Sequence, residues 1–266
     1  MRNAAQRENK SILDRSCPTY RLDGAGSLLI NVPGLDGTGE LIFKQAPALA
    51  RDYRVATFRL RESGNFSYAD LASDIAAIIR DVGEERATVV GESFGGTVAL
   101  WFALLYPQML ERLVIINSFP RFRNRIKIRA ARRLASSLPP GASWLLRAAG
   151  CTIGLGVDGV AAADRRRCRS IIKAVKMPAY VRRLELIENL DLEERLKEIT
   201  APTLFIAADH DLLVPSVREA KLMASMTPNA TVEVVHGAGH ACLLGERVSL
   251  AAILTKWKSQ HDRKVH

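Results

Sequence analysis

The chain has 266 residues, of which 48% are hydrophobic, 25% charged and 6% aromatic, and its formal net charge is +10. These proportions are typical of an ordinary globular protein and exclude a disordered, collagen-like or coiled-coil chain. A chain of this length buries about three quarters of its unfolded surface, so it needs neither a disulfide nor a metal ion to fold.

Short apolar runs alternate with amphipathic stretches along the chain, which predicts an α/β fold with a mostly parallel central sheet flanked by helices. The predicted elements are strands at 27–32, 54–58, 87–90, 113–117, 203–208 and 231–235, and helices at 68–81 and 94–106. Between residues 119 and 200 the strand-like runs give way to helical segments rich in Arg and Ala. We therefore expect a core of residues 17–118 and 201–260, a helical insertion at 119–200, and a polar N-terminal segment at 1–16.

Two segments, residues 1–16 and 93–110, could be mistaken for a signal peptide and a membrane span. Residues 1–16 lack an apolar run, so we expect no signal peptide among them. Residues 93–110 are uncharged, but they contain Gly95, Gly96 and Pro107, which favours a buried helix over a membrane span. The four cysteines lie far apart with no C-x-x-C pair, at Cys17, Cys151, Cys168 and Cys242. We expect reduced thiols and a cytoplasmic location.

The positive charge is concentrated in the predicted insertion. Residues 119–200 hold 18 Lys and Arg against eight Asp and Glu, which leaves the rest of the chain neutral. Most of these cations form two clusters: Arg121, Arg123, Arg125, Lys127, Arg129, Arg132 and Arg133, and then Arg165, Arg166, Arg167, Arg169, Lys173 and Lys176. They either form solvated helical faces or attract anionic substrates and acidic lipid headgroups in a peripheral contact. We expect no nucleic-acid partner, because few aromatic residues accompany these cations and no nucleic-acid-binding motif is present.

Residues 91–95 read G-E-S-F-G, a G-x-S-x-G sequence between a predicted strand and a predicted helix. A sharp turn of this kind holds Ser93 in a strained backbone conformation, and small flanking residues prevent clashes. The hydroxyl then lies at the N-terminus of a helix, where free amides favour developing negative charge. The pattern therefore predicts a nucleophilic serine, with a plain glycine-rich turn as the alternative.

A nucleophilic serine requires a general base. His240 follows the strand at 231–235 in a Gly-Ala-Gly-His loop, where glycines let the side chain reach over the sheet edge. We expect His240 to be the base, with His236 at the end of that strand as the alternative. His261 and His266 lie in a polar tail and are expected to be solvated.

The base in turn requires an orienting acid, which we expect directly after the strand at 203–208. Asp209 and Asp211 both occupy that loop. Asp211 is the preferred candidate because a Val-Pro that begins the next helix follows it closely, while Asp209 can brace the loop.

With Ser93, Asp211 and His240 in this order, and a helical insertion before the acid, the chain resembles the α/β-hydrolase superfamily of serine esterases and lipases. The resemblance covers residues 20–257 and rests on residues 91–96, 211–215 and 239–240. It implies a sheet of about eight strands, a helical cap formed by the insertion, and a catalytic triad of those three residues. It requires no metal ion and no organic cofactor.

The resemblance also implies an oxyanion hole made of two backbone amides. These correspond to Phe94, after the nucleophile, and to Leu35 in the loop after the strand at 27–32, with Asp36 as the alternative to Leu35. Many relatives begin this loop with His-Gly, whereas this chain has Pro33 and Gly34. The first strand or two of the family's sheet are expected to be short or missing.

The expected activity is hydrolysis of a small-molecule carboxylic ester through an acyl-enzyme on Ser93. An acyltransferase would use the same intermediate with an alcohol or thiol acceptor. A thioesterase, a lactonase or a carbon–carbon bond hydrolase would use the same three residues. A ligand-binding protein without catalysis is disfavoured, because a binder has no physical need for a proton-relay arrangement.

Overall fold

The computed structural model describes residues 18–138 and 160–265, without the side chains of 262–265. The N-terminal segment 1–16, Cys17, Cys151 and residues 139–159 of the expected insertion lie outside the described residues.

The described residues form strands and helices that alternate along the chain, labelled here in chain order. The strands are β1 (Tyr20–Asp23), β2 (Ser27–Val32), β3 (Tyr53–Phe58), β4 (Ala87–Glu92), β5 (Leu110–Ile116), β6 (Thr203–Ala208) and β7 (Ala230–Val235). The α-helices are α1 (Ala46–Leu49), α2 (Tyr68–Val82), α3 (Phe94–Leu105), α4 (Arg125–Ser137), α5 (Ala162–Lys173), α6 (Met177–Glu188), α7 (Ser216–Met226) and α8 (Leu250–Val265). Short 3-10 helices lie at Leu41–Lys44, Pro107–Met109, Glu193–Glu198 and Cys242–Leu244.

The strands form one sheet of seven strands in the order β1-β3-β2-β4-β5-β6-β7. Only β1 pairs in the antiparallel direction, with β3, and all other neighbours are parallel. The predicted mostly parallel α/β sheet is therefore confirmed. The described residues contain seven strands where the resemblance implied about eight, and the expected short first strand is β1, which has four residues.

The predicted boundaries differ from the observed ones mainly at β5. This strand begins at Leu110, three residues before the predicted start, and ends at Ile116, so Asn117 lies just beyond it. The charged pair Glu111 and Arg112 hides the first half of the strand from a search for apolar runs, because these half-buried side chains interrupt the apolar pattern.

Apolar side chains cover both faces of the sheet, because alternate residues of a strand point to opposite sides. On one side Val89 and Phe205 pack into a cluster that includes residues of α2 and α3. On the other side Val90 and Leu204 pack with residues of α1 and α8, among them Leu254 and Trp257. This burial on both faces accounts for the nearly continuous apolar sequences of the central strands.

The parallel strands all end at the same edge of the sheet, so the loops that follow them lie close together. The chain leaves β2 to form β3 on one side and then crosses to β4 on the other, so the order of strands reverses between β2 and β4. Open α/β sheets bind their ligands at the carboxyl ends of the strands beside such a reversal. The loop after β2 and the turn after β4 flank this point.

Helices α4, α5 and α6 belong to the segment that connects β5 to β6. The two ends of the segment lie close to each other, since the amide of Leu192 donates to the carbonyl of Pro120 at 3.0 Å. Across residues 18–138 and 160–265, no helix has both the length and the apolar composition that crossing a bilayer requires.

The turn between β4 and α3 leaves no room for side chains at two of its glycines. A Cβ atom on Gly91 would lie 2.3 Å from the carbonyl oxygen of Gly95, and a Cβ atom on Gly95 would lie 2.2 Å from that of Val32. These obstacles are backbone atoms that cannot rotate away. Small residues are therefore obligatory here for steric reasons.

We predict that Gly91→Ala lowers the free energy of unfolding by about 2 kcal/mol or more, because the backbone must shift to admit the methyl group. Gly64→Ala is the matched control. Gly64 has a φ of +85° and no atom within 4 Å of an added Cβ, so it should lose only about 1 kcal/mol to backbone strain. Urea unfolding followed by circular dichroism measures both, and equal losses would contradict the steric explanation.

Candidate active site

Ser93 connects β4 to α3 in a backbone conformation that few non-glycine residues adopt. Its φ is 54° and its ψ is −119°, outside the regions that L-residues favour. Hydrogen bonds hold this residue from both sides: its amide donates to the carbonyl of Ile116 at 2.8 Å, and the hydroxyl of Ser118 donates to its carbonyl at 2.7 Å. The strained turn predicted from the sequence is present.

The structure brings Ser93, His240 and Asp211 into one hydrogen-bonded chain. Ser93 Oγ lies 2.9 Å from His240 Nε2, and His240 Nδ1 lies 2.7 Å from Asp211 Oδ2. With its proton on Nδ1, a neutral His240 donates to the carboxylate and leaves Nε2 free to accept from the serine hydroxyl. Such a chain can move the serine proton to the imidazole while the carboxylate stabilises the resulting imidazolium.

Asp211 is held in place by its own loop. Oδ1 accepts hydrogen bonds from the amides of Leu213 and Val214 at 2.9 and 3.0 Å, and Oδ2 accepts from the hydroxyl of Ser216. Its side chain is 1% exposed and that of His240 is 13% exposed. The carboxylate therefore keeps a fixed orientation toward the imidazole.

The pKa values of this pair shift in the directions expected for an ion pair. Burial raises the pKa of Asp211, but the hydrogen bond and charge of His240, with further hydrogen bonds from Ser216 and Val214, outweigh it and lower the pKa. Burial lowers the pKa of His240, but the hydrogen bond and charge of Asp211, with the charge of Glu92, leave it above its ordinary value of 6.5.

Glu92 is an acidic neighbour of His240, and its electrostatic role cannot be predicted from the sequence. Burial, with the charges of Asp36 and Asp211, raises its pKa to about 7, although the charge of His240 opposes the shift. A carboxyl with this pKa is partly protonated near neutral pH. The sequence gives no signal for this, because the second position of G-x-S-x-G is not restricted to one residue type.

The alternative candidates Asp209 and His236 pair with each other. Asp209 Oδ2 lies 2.8 Å from His236 Nδ1, and Asp209 Oδ1 accepts from the amide of Gly237 at 2.8 Å. The side chain of His236 is 82% exposed. This second pair braces the loop after β7, and neither residue joins the hydrogen-bonded chain of Ser93.

Asn117 links the loops at the carboxyl edge of the sheet. It lies directly after β5 with a φ of 47° and is 1% exposed. Its amide nitrogen donates to the carbonyl of His240 at 2.7 Å, and its side-chain oxygen accepts from the amide of Ala208 at 2.8 Å. Asn117 therefore positions the loop that carries His240, a role hidden in the sequence because we assigned this residue to the strand.

The loop after β2 approaches Ser93 closely. A Cβ atom on Gly34 would lie 3.8 Å from Ser93 Cβ, and the amide of Gly37 donates to the carbonyl of Gly34 at 3.0 Å. Residues 34–37, called here the 34–37 turn, therefore lie against the serine, and this turn contains Leu35 and Asp36. Phe94 is the first residue of α3, and an amide at that position has no acceptor within the helix.

Acidic partners on neighbouring elements neutralise part of the first cationic cluster. Arg129 and Arg132 each bind Glu188 at 2.8 Å, Arg123 binds Glu193 and Glu219 at 2.6 and 3.0 Å, and Arg121 binds Asp191 at 3.4 Å. In the second cluster the Arg167 guanidinium lies over the ring of Phe43, 4.0 Å from its centroid. An attraction for anionic substrates or lipid surfaces therefore stays a prediction.

In the part of the chain that the structure describes, no set of three or more His, Cys, Asp or Glu side chains is arranged to hold a metal ion. Cys168 and Cys242 are buried and unbridged.

We predict that Asp211→Asn lowers the pKa of His240, because it removes the negative charge that favours the imidazolium. Titration of the His240 ring proton by NMR should give a midpoint above 6.5 in the wild-type protein and a lower one in the variant. Because the pKa of His240 is higher in the folded than in the unfolded protein, its protonation stabilises the fold at pH values below the unfolded-state pKa. This contribution to the free energy of unfolding is lost as the pH rises through the folded-state pKa. Asp209→Asn is the control and should leave the His240 midpoint in place. An unchanged midpoint in Asp211→Asn would contradict the ion-pair assignment.

Comparison with known proteins agrees with this fold. A family model described as "Alpha/beta hydrolase family" matches residues 31–252. A protein of Stutzerimonas stutzeri, provisionally named carbamate hydrolase RutD, is 30% identical over 246 residues, which cover 88% of this chain and 92% of the relative. A protein with the same name from Serratia proteamaculans is 28% identical over 241 residues, with 86% and 90% coverage.

Solved structures share the fold. An esterase from Thermogutta terrifontis superposes with a TM-score of 0.79 at 20% identity, covering 91% of this chain and 93% of the other. The match to the family model extends over most of the chain and includes all three residues of the hydrogen-bonded chain. The protein is therefore a hydrolase of the alpha/beta hydrolase family.

Proposed function

We propose that this protein is a serine hydrolase that cleaves carboxylic esters through an acyl-enzyme intermediate. The observation that carries the proposal is the continuous hydrogen-bonded chain from Ser93 Oγ through His240 to Asp211. A serine hydroxyl is a weak nucleophile by itself, and a base that is oriented by a buried carboxylate is the usual way to activate it.

In the first half of the reaction, Ser93 Oγ attacks the ester carbonyl carbon while its proton passes to His240 Nε2. The carbonyl electron pair moves to the oxygen, which becomes an oxyanion. His240 then gives the proton to the departing alcohol as the carbon–oxygen bond breaks, which leaves the acyl group on Ser93. Water repeats the same steps on the acyl-enzyme, and the acid is released.

The oxyanion is stabilised by the amide of Phe94 and by that of Leu35, with Asp36 as the alternative second donor. Both sources are supported by position, since α3 begins at Phe94 and the 34–37 turn lies against Ser93. Each donor contributes about 3 kcal/mol of transition-state stabilisation. The positive end of the α3 dipole adds to the same effect.

Residues 119–200 act as the cap of this enzyme, over a core of residues 17–118 and 201–260. Supporting this, α6 of that segment donates hydrogen bonds to carbonyls of the 34–37 turn. A cap so placed shapes the acyl pocket and reduces the access of water to the reacting atoms.

Carbamate hydrolysis is the second candidate, and the observation that favours it is the name of the two curated relatives. The same three residues can attack a carbamate carbonyl. Nitrogen donates electrons into that carbonyl and makes it less electrophilic than an ester carbonyl. A carbamoyl group on Ser93 would therefore react slowly with water unless the site were adapted to it.

We predict that Ser93→Ala folds normally and loses on the order of 10⁴–10⁶ in kcat, because the nucleophile is gone. A fluorophosphonate should add its mass to Ser93 of the wild-type protein and not to the variant. His240→Gln should lose a similar factor, on the order of 10⁴–10⁶, since the base is removed. His236→Gln is the matched control and should keep the wild-type rate. Wild-type turnover by Ser93→Ala would overturn the proposal.

A paired substrate test separates the two candidates. We predict that p-nitrophenyl acetate and butyrate are turned over repeatedly, whereas a p-nitrophenyl N-methylcarbamate gives one equivalent of p-nitrophenol and then a slow steady state. This pattern follows from the slower attack of water on a carbamoyl-serine. Stopped-flow absorbance with active-site titration measures both phases. Steady-state carbamate turnover equal to or faster than ester turnover would favour the second candidate.

A further inference from the structure

Arg183, on α6, carries a guanidinium that is buried beside the candidate oxyanion site. The residue is 1% exposed and is among the largest fully buried side chains of the described residues. Nη1 donates to the carbonyls of Leu35 and Asp36, both at 3.1 Å, and Nη2 donates to the carbonyl of Arg61 at 3.1 Å. Burying a cation is costly, and these bonds go to backbone carbonyls, so a structural benefit must offset the cost.

Burial lowers the pKa of Arg183 to about 10, against the opposing charges of Asp36 and Glu62. The group therefore stays protonated at neutral pH and keeps all its donors.

The guanidinium of Arg183 packs directly against the 34–37 turn at Gly37. Gly37 has a φ of +68°, and a Cβ atom there would lie 2.3 Å from Arg183 Cζ. The guanidinium thus occupies the space that any side chain at position 37 would need. Gly37 is also tied to the core, since its carbonyl accepts from the amide of Leu60 at 2.9 Å.

The contacts of the turn determine where its amides point. In a trans peptide the N–H points opposite to the carbonyl of the same unit. The carbonyl of Gly34 is bound by the amide of Gly37, which fixes the direction of the Leu35 N–H. The carbonyl of Leu35 is bound by Arg183, which fixes the direction of the Asp36 N–H. Within the described residues, neither of these two N–H groups donates to a protein acceptor.

We propose that Arg183 is a positioning residue that holds the 34–37 turn so that an amide of Leu35 or Asp36 faces the oxyanion. The inference rests on the proposed function of Ser93 and deepens it. Arg183 touches no reacting atom, so its effect reaches the transition state only through the turn. It also makes the oxyanion site depend on a helix of the β5–β6 connection, outside the loops that carry the serine, the histidine and the aspartate.

The test compares Arg183→Met with Arg182→Met. Methionine fills much of the arginine volume but donates no hydrogen bond. Arg182 is the neighbouring residue on α6, and its guanidinium donates to the carbonyl of Phe66 at 2.8 Å, so the control loses a similar bond away from the turn. Rates are normalised to the sites titrated with fluorophosphonate, so that a loss of folded protein does not count as a loss of catalysis.

For Arg183→Met we expect kcat per titrated site to fall on the order of 10²-fold, as when one oxyanion donor is removed. A trifluoromethyl ketone, whose adduct with Ser93 carries an oxyanion, should lose affinity by a similar factor. The affinity for an unreactive amide analogue of the substrate, which has no oxyanion, should stay within about threefold, because the turn contributes to the transition state rather than to ground-state binding. Arg182→Met should match the wild-type protein in all three measurements.

A purely structural role would lower the melting temperature and leave kcat per titrated site unchanged, and that result overturns the inference. Equal losses of affinity for the ketone and the amide also overturn it. Should Arg183→Met fail to fold, Arg183→Lys carries the same measurements, because lysine keeps the charge but replaces the planar fork with a point donor. Failure of the proposed function can be distinguished from failure of the Arg183 inference, because Ser93 of the wild-type protein would then not be labelled by the fluorophosphonate.

Discussion

Ser93 is the single residue between β4 and α3. So sharp a bend is possible only because glycines leave space around it. Backbone carbonyls of Gly95 and Val32 occupy the positions where side chains at Gly91 and Gly95 would lie. The resulting φ of 54° costs conformational energy, and two hydrogen bonds offset that cost: the Ser93 amide donates to Ile116 of β5, and the Ser118 hydroxyl donates to the Ser93 carbonyl. The bend lifts the hydroxyl out of the sheet and toward the carboxyl edge, where the imidazole can reach it. Without it, the serine would lie in a strand or a helix with its side chain packed into the core.

The parallel sheet then supplies the remaining groups. Since β2, β4, β5, β6 and β7 end at one edge, residues far apart in the chain meet there without long connections. Asn117 ties the ends of β5 and β6 to the loop after β7 by bonding to Ala208 and to the carbonyl of His240. The imidazole is therefore fixed through its main chain by Asn117 and through its ring by Asp211. A base held at both ends loses little entropy on proton transfer, which is the physical advantage of building the site on strand ends.

Charge has two distinct uses in this molecule. Near the surface, Arg129 and Arg132 of α4 pair with the largely buried carboxylate of Glu188, which would be costly to bury without a partner. In the interior, Arg183 binds carbonyls of the turn beside Ser93. A buried guanidinium with fixed geometry specifies a backbone conformation more strictly than an apolar side chain would, because Nη1 and Nη2 donate to carbonyls that must lie in defined directions.

Local sequence determined much of the fold and the core of the candidate site. Apolar runs predicted six of the seven strands in residues 18–138 and 160–265, and the glycines around Ser93 predicted its bend, because both signals arise from residues close together in the chain. The order Ser93, Asp211 and His240 also followed from motifs placed after strands. Tertiary structure alone decided which aspartate pairs with which histidine, since Asp209 and Asp211 share one loop and their partners lie about thirty residues away. It also placed Asn117, Glu92 and Arg183, whose contacts join segments that no local pattern connects. Hydrophobic periodicity and turn residues predict the local backbone conformation, whereas these contacts depend on which distant segments the fold places side by side.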